Sequence, residues 1–344
     1  MLRFGLIGYG KWGHHHAAAI TATTDLAMTG IACATAETAE EARADYPSVP
    51  VSCDYRALLA LPTVDAVAIV TPNFLHVDMA VAALQAGKHV VLEKPMALNL
   101  ADCARINDAA AQAGRTVSVV HQFRLSTQWG AIKTMVASGE IGSPRYANVN
   151  LFRFPFRSGA EGWRYDAGKV GSWILEEAIH FFDAVMWYFE DHGDPTTVTA
   201  TGTATGIARG AQPGLYDNFS CTLRWANGCY AHVNQSLCGF ENHLLTEVTG
   251  AEGAVRAWWS GSTDRTRTPT FELKLKRSTD ADAETLAIGP SGEVFELAET
   301  YSRIGDAFQN NRPLVSGKEA MKCVHVCLEA QRSLETGRTM ALAF

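Results

Sequence analysis

Apolar runs alternate with helix-like stretches over about the first 120 residues of the chain. Runs such as LRFGLIG, AVAIV and HVVL have the length and composition of buried strands. Stretches such as FLHVDMAVAALQAG and LADCARINDAAAQAG have helical spacing and end in glycine, which readily adopts the left-handed conformation that closes a helix. Strands that alternate with helices in this way predict an α/β fold with a parallel, doubly wound sheet.

After about residue 122 the pattern becomes that of a second, α+β domain. The stretch GSWILEEAIHFFD (171–183) predicts a buried helix that carries four ionisable groups. Between 196 and 300, successive β runs with predicted hairpin turns at ANGC and PSGE indicate a largely antiparallel sheet. We therefore expect domains at 1–122 and 123–344. The expectation leaves open whether the final helices, within 300–336, pack back on the first domain.

Composition and charge narrow the class of protein. The 344 residues are 47% hydrophobic and 19% charged, which is enough apolar material for a core in each domain. The net charge of −7 argues against a nucleic-acid partner, and no apolar run is long enough for a membrane span. The amino terminus lacks a signal-peptide pattern, and the eight cysteines form no CxxC pair. We therefore expect a cytoplasmic protein with reduced thiols and no metal site.

A glycine motif follows the first predicted strand. GYGKWG places Gly8, Gly10 and Gly13 in the pattern G-x-G-x-x-G, between a strand and a helix. Such glycines let the backbone approach a pyrophosphate, and the helix that follows offers its N–H groups to the anion. The motif therefore predicts a dinucleotide site, to which Lys11 and Trp12 also contribute.

The second strand bears on the choice between NAD and NADP. A carboxylate is expected at its end to bind the adenosine ribose, but the strand ends near Thr35 and the nearest acid, Glu37, lies beyond it. No Arg or Lys is placed there to bind a 2′-phosphate. We expect NAD, with NADP not excluded, and place Thr35 at the ribose.

Two further motifs follow consecutive strands at the edge where parallel sheets bind ligands. TPNFLH supplies the candidate cofactor contacts Thr71, Pro72, Asn73 and His76. EKP supplies Glu93 and Lys94, and Pro95 steers Lys94 towards extended geometry, with a cis bond also compatible. A lysine in this place is expected near the reacting group.

The motifs together resemble the Gfo/Idh/MocA family of NAD(P)-dependent sugar and polyol dehydrogenases. The matching pieces, in the family's order, are GLIGYGKWG with His16, TPNFLH, AGKHVVLEKP, Arg124 of QFR, GWRYD (162–166) and HFFD (180–183). The resemblance implies an amino-terminal Rossmann domain followed by an α+β domain with a largely antiparallel, open-faced sheet. It also implies a homodimer or homotetramer that packs through that open face.

The resemblance assigns candidate catalytic residues as well. The family shows D-x-G-x-H-x-x-D where this chain has EEAIHFFD, so Glu176 takes the Asp position beside His180, and Lys94 completes the group. Glu177 is an alternative to Glu176. Candidate substrate contacts are Lys94, Arg124, Trp163, Arg164, Glu176, Glu177 and His180.

These residue types suit the oxidation of a secondary alcohol of a cyclitol or monosaccharide. His180 can act as general base near neutral pH, a carboxylate can orient it, and Lys94 can stabilise the developing alkoxide. Lys94 itself is the alternative proton acceptor. Two other functions remain open: glycoside cleavage by transient NAD-dependent oxidation and elimination, and a non-catalytic dinucleotide sensor.

Overall fold

The structure, a computed structural model, describes residues 1–153, 157–204, 211–239, 241–278 and 281–344. Its residues form two compact units: Met1–His121 with Leu297–Val324, and Gln122–Glu296 with His325–Phe344. The segment 297–324, which lies in the range predicted for the second domain, thus belongs to the first unit. No helix in the described part of the chain is long and apolar enough to cross a membrane.

The first unit is built on a six-stranded sheet in which all strand pairs are parallel, in the order β3-β2-β1-β4-β5-β6. Its strands are β1 (Leu2–Ile7), β2 (Leu26–Ala32), β3 (Val51–Ser52), β4 (Ala66–Ile69), β5 (His89–Leu92) and β6 (Val117–Val119). Its helices include α1 (Lys11–Ala22), α2 (Ala36–Asp45), α3 (Tyr55–Leu59), α4 (His76–Gln85) and α5 (Leu100–Ala113). The predicted doubly wound Rossmann sheet is confirmed.

The second unit is built on a nine-stranded sheet, in the order β14-β13-β12-β11-β7-β10-β9-β8-β15. Its strands are β7 (Pro144–Phe152), β8 (Thr197–Thr203), β9 (Asn218–Arg224), β10 (Tyr230–Ser236), β11 (Asn242–Gly250), β12 (Ala254–Gly261), β13 (Thr270–Lys276), β14 (Glu284–Leu286) and β15 (Met340–Ala341). Only the β7–β10 pair is parallel among these described strands, so the predicted largely antiparallel sheet is confirmed.

One face of this second sheet is buried and the other is half exposed. In β7, Ala147, Val149 and Leu151 are buried, whereas Asn148 and Asn150, which point the other way, are half buried. Helices of the second unit are α6 (Trp129–Ala137), α7 (Ala167–Val170) and α8 (Ile179–Tyr188). Short 3₁₀ segments lie at Asn73–Leu75, Gln122–Leu125, Ala160–Tyr165 and Glu190–His192. The open-faced character of the predicted sheet follows from this alternation.

One local prediction was wrong, and one predicted helix has an irregular first turn. SGEVFEL was expected as a strand after a PSGE hairpin turn, but the chain there enters α9 (Glu293–Gln309), and α10 (Gly317–Thr336) follows. The reason is a cap: the Glu296 carboxyl group accepts hydrogen bonds from the Gly292 N–H at 2.8 Å and the Ser291 hydroxyl at 2.9 Å. The buried helix predicted at 171–183 is present, but Ile174–Ala178 forms a π-helical turn before α8.

Candidate active site

The glycine motif forms a tight turn whose three glycines differ in what surrounds them. Gly8 has φ +102°, and a Cβ on it would lie 2.2 Å from the Val70 carbonyl oxygen. A Cβ on Gly13 would lie 2.1 Å from the Gly8 carbonyl oxygen, whereas one on Gly10 would meet nothing within 4 Å. Gly8 and Gly13 therefore serve close backbone packing, and the open side at Gly10 fits the approach of a pyrophosphate.

A buried hydrogen-bond network joins this turn to the EKP motif. The Trp12 indole N–H donates to Glu93 Oε1 at 2.9 Å, and His16 Nε2 lies 2.9 Å from the same oxygen. His16 Nδ1 lies 2.8 Å from the hydroxyl of Tyr301 in α9, and the backbone N–H of Lys94 donates to Glu93 Oε2 at 3.2 Å. The Glu93 carboxylate thus ties the start of α1 to the loop that carries Lys94.

The same network keeps Glu93 ionised. Burial alone would raise the pKa of the Glu93 carboxyl, but the hydrogen bond and charge of His16, with Lys94 and Trp12, outweigh it and lower that pKa. His16, which the sequence marked only as part of a motif, therefore supports the EKP loop from within the first unit.

The TPNFLH loop is held to the same place. The two ring nitrogens of buried His76 lie 2.8 Å from the Pro95 carbonyl oxygen and 2.9 Å from the Thr71 carbonyl oxygen. Pro72 precedes the 3₁₀ turn, Asn73 is buried, and the Lys94–Pro95 bond is cis. His76 thus fixes the two loops to each other, which places Thr71 and Lys94 in adjoining segments.

The end of β2 carries no acidic side chain. Thr35 instead caps α2, accepting the Thr38 N–H at 3.2 Å, and the two hydroxyls lie 3.0 Å apart. The Cys33 thiol donates to the Thr38 carbonyl at 3.5 Å. Thr35 is exposed, so its position stays compatible with the predicted ribose contact, and Glu37 lies in the first turn of α2.

In the second unit, Glu176 lies in the π-helical turn and is 2% exposed. Its Oε1 accepts a hydrogen bond of 2.8 Å from Nε of Arg164. Although burial would lower the pKa of Arg164, the charges of Glu176 and Glu177 raise it. The guanidinium also lies over the Trp163 ring, 4.7 Å from its centroid. Three predicted substrate contacts, Trp163, Arg164 and Glu176, are thereby brought together.

Glu177 belongs to a different ion pair. Its Oε2 lies 2.9 Å from Nη1 of Arg153, which also lies 3.1 Å from Asp264 Oδ2, while Nη2 lies 3.0 Å from Glu293 Oε1. Arg157 adds a contact of 2.6 Å to Asp264. Adjacent glutamates in the π-helical turn therefore take different arginines.

His180 and Asp183, one turn further on, have distinct surroundings. His180 is 5% exposed, and its ring centroid lies 5.0 Å from that of Phe123. Asp183 accepts two hydrogen bonds from Arg124, from Nε at 2.8 Å and from Nη2 at 2.7 Å. The Arg124 guanidinium also lies over the Trp187 ring. Arg124, a predicted substrate contact, is thus anchored to α8 by a bidentate pair.

Asp264 and Glu293 are the residues that sequence reasoning missed. Neither residue belongs to a motif that indicates a site. Each contacts Arg153, from which they are separated by 111 and 140 residues along the chain. No local signal in the sequence marks them.

Comparison with known proteins finds a matching family model for each half of the chain. A model described as an oxidoreductase family with an NAD-binding Rossmann fold matches residues 2–121, and the GFO/IDH/MocA C-terminal domain model matches 129–256. An oxidoreductase of Escherichia coli strain K12 is 31% identical over 198 residues, which are 58% of this chain and 56% of that protein. The match therefore spans little more than half of that relative.

Other relatives match along the whole chain. The scyllo-inositol 2-dehydrogenase (NADP⁺) of Bacillus subtilis strain 168 is 25% identical over 359 aligned positions, covering 99% of this chain and 96% of that protein. The crystal structure of aldose-aldose oxidoreductase from Caulobacter crescentus has the same fold, with a TM-score of 0.86, 20% identity and 99% coverage of both chains. The chain belongs to the Gfo/Idh/MocA family of NAD(P)-dependent oxidoreductases, the sugar and polyol dehydrogenase family.

Proposed function

We propose that this chain oxidises a secondary hydroxyl of a cyclitol or monosaccharide to a ketone or lactone, or catalyses the reverse reaction. The observation that carries the proposal is the burial of Glu176 and His180 in one helical segment, with the Glu176 carboxylate fixed by Arg164. Ionisable groups buried together are costly unless they are paired or used in chemistry. The family's nicotinamide cofactor supplies a hydride acceptor for such a pair.

The residues take the following roles. When bound, the nicotinamide cofactor would supply the hydride acceptor. As the C–H bond of the alcohol carbon breaks, His180 takes the hydroxyl proton and the C=O bond forms. Glu176 orients the imidazole or accepts a hydrogen bond from substrate, and Lys94 stabilises the developing alkoxide. Proton transfer to Lys94 instead of His180 is the alternative. Each glutamate is paired with an arginine, Glu176 with Arg164 and Glu177 with Arg153, so Glu177 stays the alternative carboxylate.

NAD is the proposed cofactor form, bound by Gly8, Gly10 and Gly13. Lys11 lies at the first position of α1, where its side chain is exposed. No basic side chain follows β2 directly, and Glu37 would repel a 2′-phosphate. The B. subtilis relative bears the name of an NADP⁺ enzyme, so both cofactors belong in the assay.

The experiment is a panel of inositols, aldoses and glycosides, each with NAD⁺ and with NADP⁺, followed at the nicotinamide absorbance. We expect reduction of the cofactor with at least one neutral cyclitol or aldose. His180→Ala and Lys94→Ala should each abolish most of this turnover. If both variants keep the full rate, the proposed catalytic group is wrong.

The same panel separates the alternatives. Glycoside cleavage by oxidation and elimination releases a product without net cofactor reduction. A product that forms without a change in nicotinamide absorbance would therefore support glycoside cleavage, and not dehydrogenation, for that substrate. A sensor would bind the dinucleotide, yet no substrate would turn over. The arrangement of Arg164 with Glu176 beside a buried His180 favours catalysis over sensing.

We also propose that the chain forms a homodimer or homotetramer through the open face of the second sheet. Aromatic side chains cluster there: the Tyr146 ring lies 4.9 Å from Tyr230 and 5.7 Å from His232. Rings grouped on a half-exposed face suit a buried interface. Sedimentation velocity should give a mass of two or four chains, and Tyr146→Glu should shift it towards the monomer.

A further inference from the structure

The buried network around Glu93 contains one residue that belongs to no motif of the sequence. Tyr301 lies in α9, within the segment 297–324, which belongs to the first unit although it comes late in the chain. The residue is 0% exposed, and its hydroxyl lies 2.8 Å from Nδ1 of His16. A helix far along the chain therefore supplies one end of the network that supports the EKP loop.

His16 is held at both of its ring nitrogens. Nε2 lies 2.9 Å from Glu93 Oε1, and Nδ1 faces the Tyr301 hydroxyl. In the part of the chain that the structure describes, the ring nitrogens and this hydroxyl have no further hydrogen-bond partner. Because His16 and Tyr301 are both fully buried, loss of one group would leave the other unpaired.

Aromatic packing fixes the direction of the Tyr301 hydroxyl. The Tyr301 ring meets the His16 ring edge to face, with 5.7 Å between centroids, and meets the Phe4 ring of β1 in the same way at 5.8 Å. Trp12 also packs edge to face against His16, at 5.5 Å. The phenol is thus held in the core of the first unit with its polar end on the imidazole.

The charge of Glu93 determines which way the imidazole must face. An ionised carboxylate only accepts hydrogen bonds, so Nε2 carries the proton that is donated to Oε1. The Tyr301 hydroxyl can donate to Nδ1 or accept from it, and in both cases it needs a nitrogen opposite it. A half-turn of the ring would put carbon atoms in place of both nitrogens, so the Tyr301 hydroxyl opposes that turn.

Glu93 passes this constraint to the peptide of Lys94. Its Oε1 is fixed by His16 and by the Trp12 indole, while its Oε2 accepts the Lys94 backbone N–H at 3.2 Å. The direction of the carboxylate therefore sets the position from which the Lys94 side chain starts. Displacement of a catalytic group by about 1 Å costs on the order of 100-fold in rate.

We propose that Tyr301 is a positioning residue for the reaction. Its hydroxyl holds the His16 imidazole with Nε2 towards Glu93, and Glu93 in turn holds the peptide that carries Lys94. Tyr301 acts through these two side chains and not by contact with substrate. The inference rests on the proposed function, because it takes Lys94 to stabilise the alkoxide that develops during hydride transfer.

The first test is Tyr301→Phe, which removes the hydroxyl and keeps the packed ring. Because Lys94 acts on charge that develops in the transition state, kcat should fall about tenfold while KM for the substrate stays within about twofold. Tyr188→Phe is the matched control, since buried Tyr188 donates to the Trp129 carbonyl at 3.0 Å in the second unit. The control should lower the thermal midpoint without this fall in kcat. An unchanged kcat in Tyr301→Phe would overturn the proposal.

The second test removes the ring that Tyr301 holds. In His16→Gln the carboxamide nitrogen replaces Nε2 as a donor to Glu93 and has no tautomer to select. In this background Tyr301→Phe should change kcat by less than about twofold. An equal fall in kcat in both backgrounds would mean that Tyr301 acts through packing alone, and the positioning role would be wrong.

The third test needs no turnover. In the full chain labelled with ¹⁵N-histidine, the Nε2–H of His16 should give a slowly exchanging proton resonance, assigned by its loss in His16→Gln. We expect Tyr301→Phe to speed this exchange at least about tenfold, because the ring is no longer held, and Tyr188→Phe to leave it unchanged. Equal exchange in wild type and Tyr301→Phe, or a wild-type Nε2 without a protected proton, contradicts the proposal.

The positioning role and the proposed function fail in different ways. Faster exchange at His16 in Tyr301→Phe, in a protein that oxidises no substrate of the panel, removes the dehydrogenase function and leaves the support of the Lys94 loop. Turnover that is abolished by Lys94→Ala but indifferent to Tyr301→Phe removes the positioning role and leaves the function.

Discussion

The Nε of Arg164 donates a hydrogen bond of 2.8 Å to Oε1 of Glu176, at the position where the family pattern has Asp. The longer carboxylate arm thus meets a guanidinium stacked on Trp163. We expect Glu176→Gln, which keeps length and loses charge, to lower kcat/KM by about 100-fold. Glu176→Asp should lower it by about tenfold, because the shorter arm moves away from Arg164. Steady-state kinetics on the best substrate of the panel measures both.

The control for this series is Glu335→Gln, which changes an exposed glutamate near the end of α10 and should leave the kinetics unchanged. Wild-type kcat/KM in Glu176→Gln would move the carboxylate role to Glu177, and Glu177→Gln would then be the variant that loses activity.

The glycine motif allows folding and cofactor binding to be separated. Gly10→Ala places a methyl group where nothing lies within 4 Å, and its backbone is at φ −86°, so the fold should be unaffected. The same methyl would obstruct the approach of the pyrophosphate, and Kd for NAD⁺ should rise at least tenfold. Gly13→Ala should lower the thermal midpoint as well, since its Cβ would collide with the Gly8 carbonyl. Calorimetric titration with NAD⁺ and thermal denaturation distinguish the two variants. Unaltered NAD⁺ affinity in Gly10→Ala would argue against pyrophosphate binding at the glycine motif.

Glu93 links two cofactor motifs through its charge. Glu93→Gln keeps an acceptor for Trp12 but removes the ionised partner of His16, so it should destabilise the protein by about 1–3 kcal/mol at neutral pH. Because folding lowers the pKa of this carboxyl, its stabilisation is present above the ordinary value of 4.5 and is lost as pH falls through the folded value. The difference in thermal midpoint between wild type and variant should therefore shrink in acid. Exposed Glu37→Gln is the control. A difference that stays constant from pH 7 to pH 4 would mean that the charge of Glu93 does not matter.

Thr35→Asp tests the cofactor preference at the end of β2. Asp is as good a helix cap as Thr, so α2 should be preserved, while the new carboxylate accepts from the ribose 2′-hydroxyl and repels a 2′-phosphate. We expect the ratio of kcat/KM for NAD⁺ over NADP⁺ to rise about tenfold or more. Thr35→Asn, a neutral cap of the same shape, should shift the ratio much less. Equal ratios in the Asp and Asn variants would place the ribose elsewhere.

Local chemistry explains which features could be predicted from the sequence. The glycine motif and the Lys94 loop each depend on neighbouring residues, so spacing alone identifies them. The parallel and antiparallel sheets follow from strand length and from what separates the strands. The ion pairs of the second unit could not be predicted in this way, since Asp264 and Glu293 converge on Arg153 only through the tertiary fold.

The wrong strand prediction and the unpredicted π-helical turn have physical causes as well. The sequence VFEL at 294–297 resembles a strand. The chain is helical there because Glu296 caps the helix at Gly292. The next turns of the helix place Leu297 and Tyr301 in the core of the first unit. The π-helical turn at Ile174–Ala178 leaves no mark in hydrophobic spacing. It adds one residue to a turn, which changes the directions that Glu176 and Glu177 take relative to α8.

Glu296 predicts a pH dependence of stability in the weakly acidic to neutral range. Burial raises the pKa of its carboxyl to about 8, even though the Gly292 N–H and the Ser291 hydroxyl act in the opposite direction. Because the folded pKa lies above the ordinary value of 4.5, folding takes up a proton between these limits. The associated stability is therefore complete below pH 4.5 and is lost as pH rises through about 8. Across this window the loss is at most about 5 kcal/mol.

Glu296→Gln should flatten that dependence, because the amide stays neutral and still accepts from Gly292. Urea denaturation at pH 5, 6.5 and 8 should show the variant gaining stability relative to wild type as pH rises. Glu299→Gln, at a half-exposed neighbour on α9 paired with Arg303, is the control and should follow the wild-type curve. Parallel curves for wild type and Glu296→Gln would mean that Glu296 is already ionised in the folded protein at neutral pH, and that its cap on α9 is a charged one.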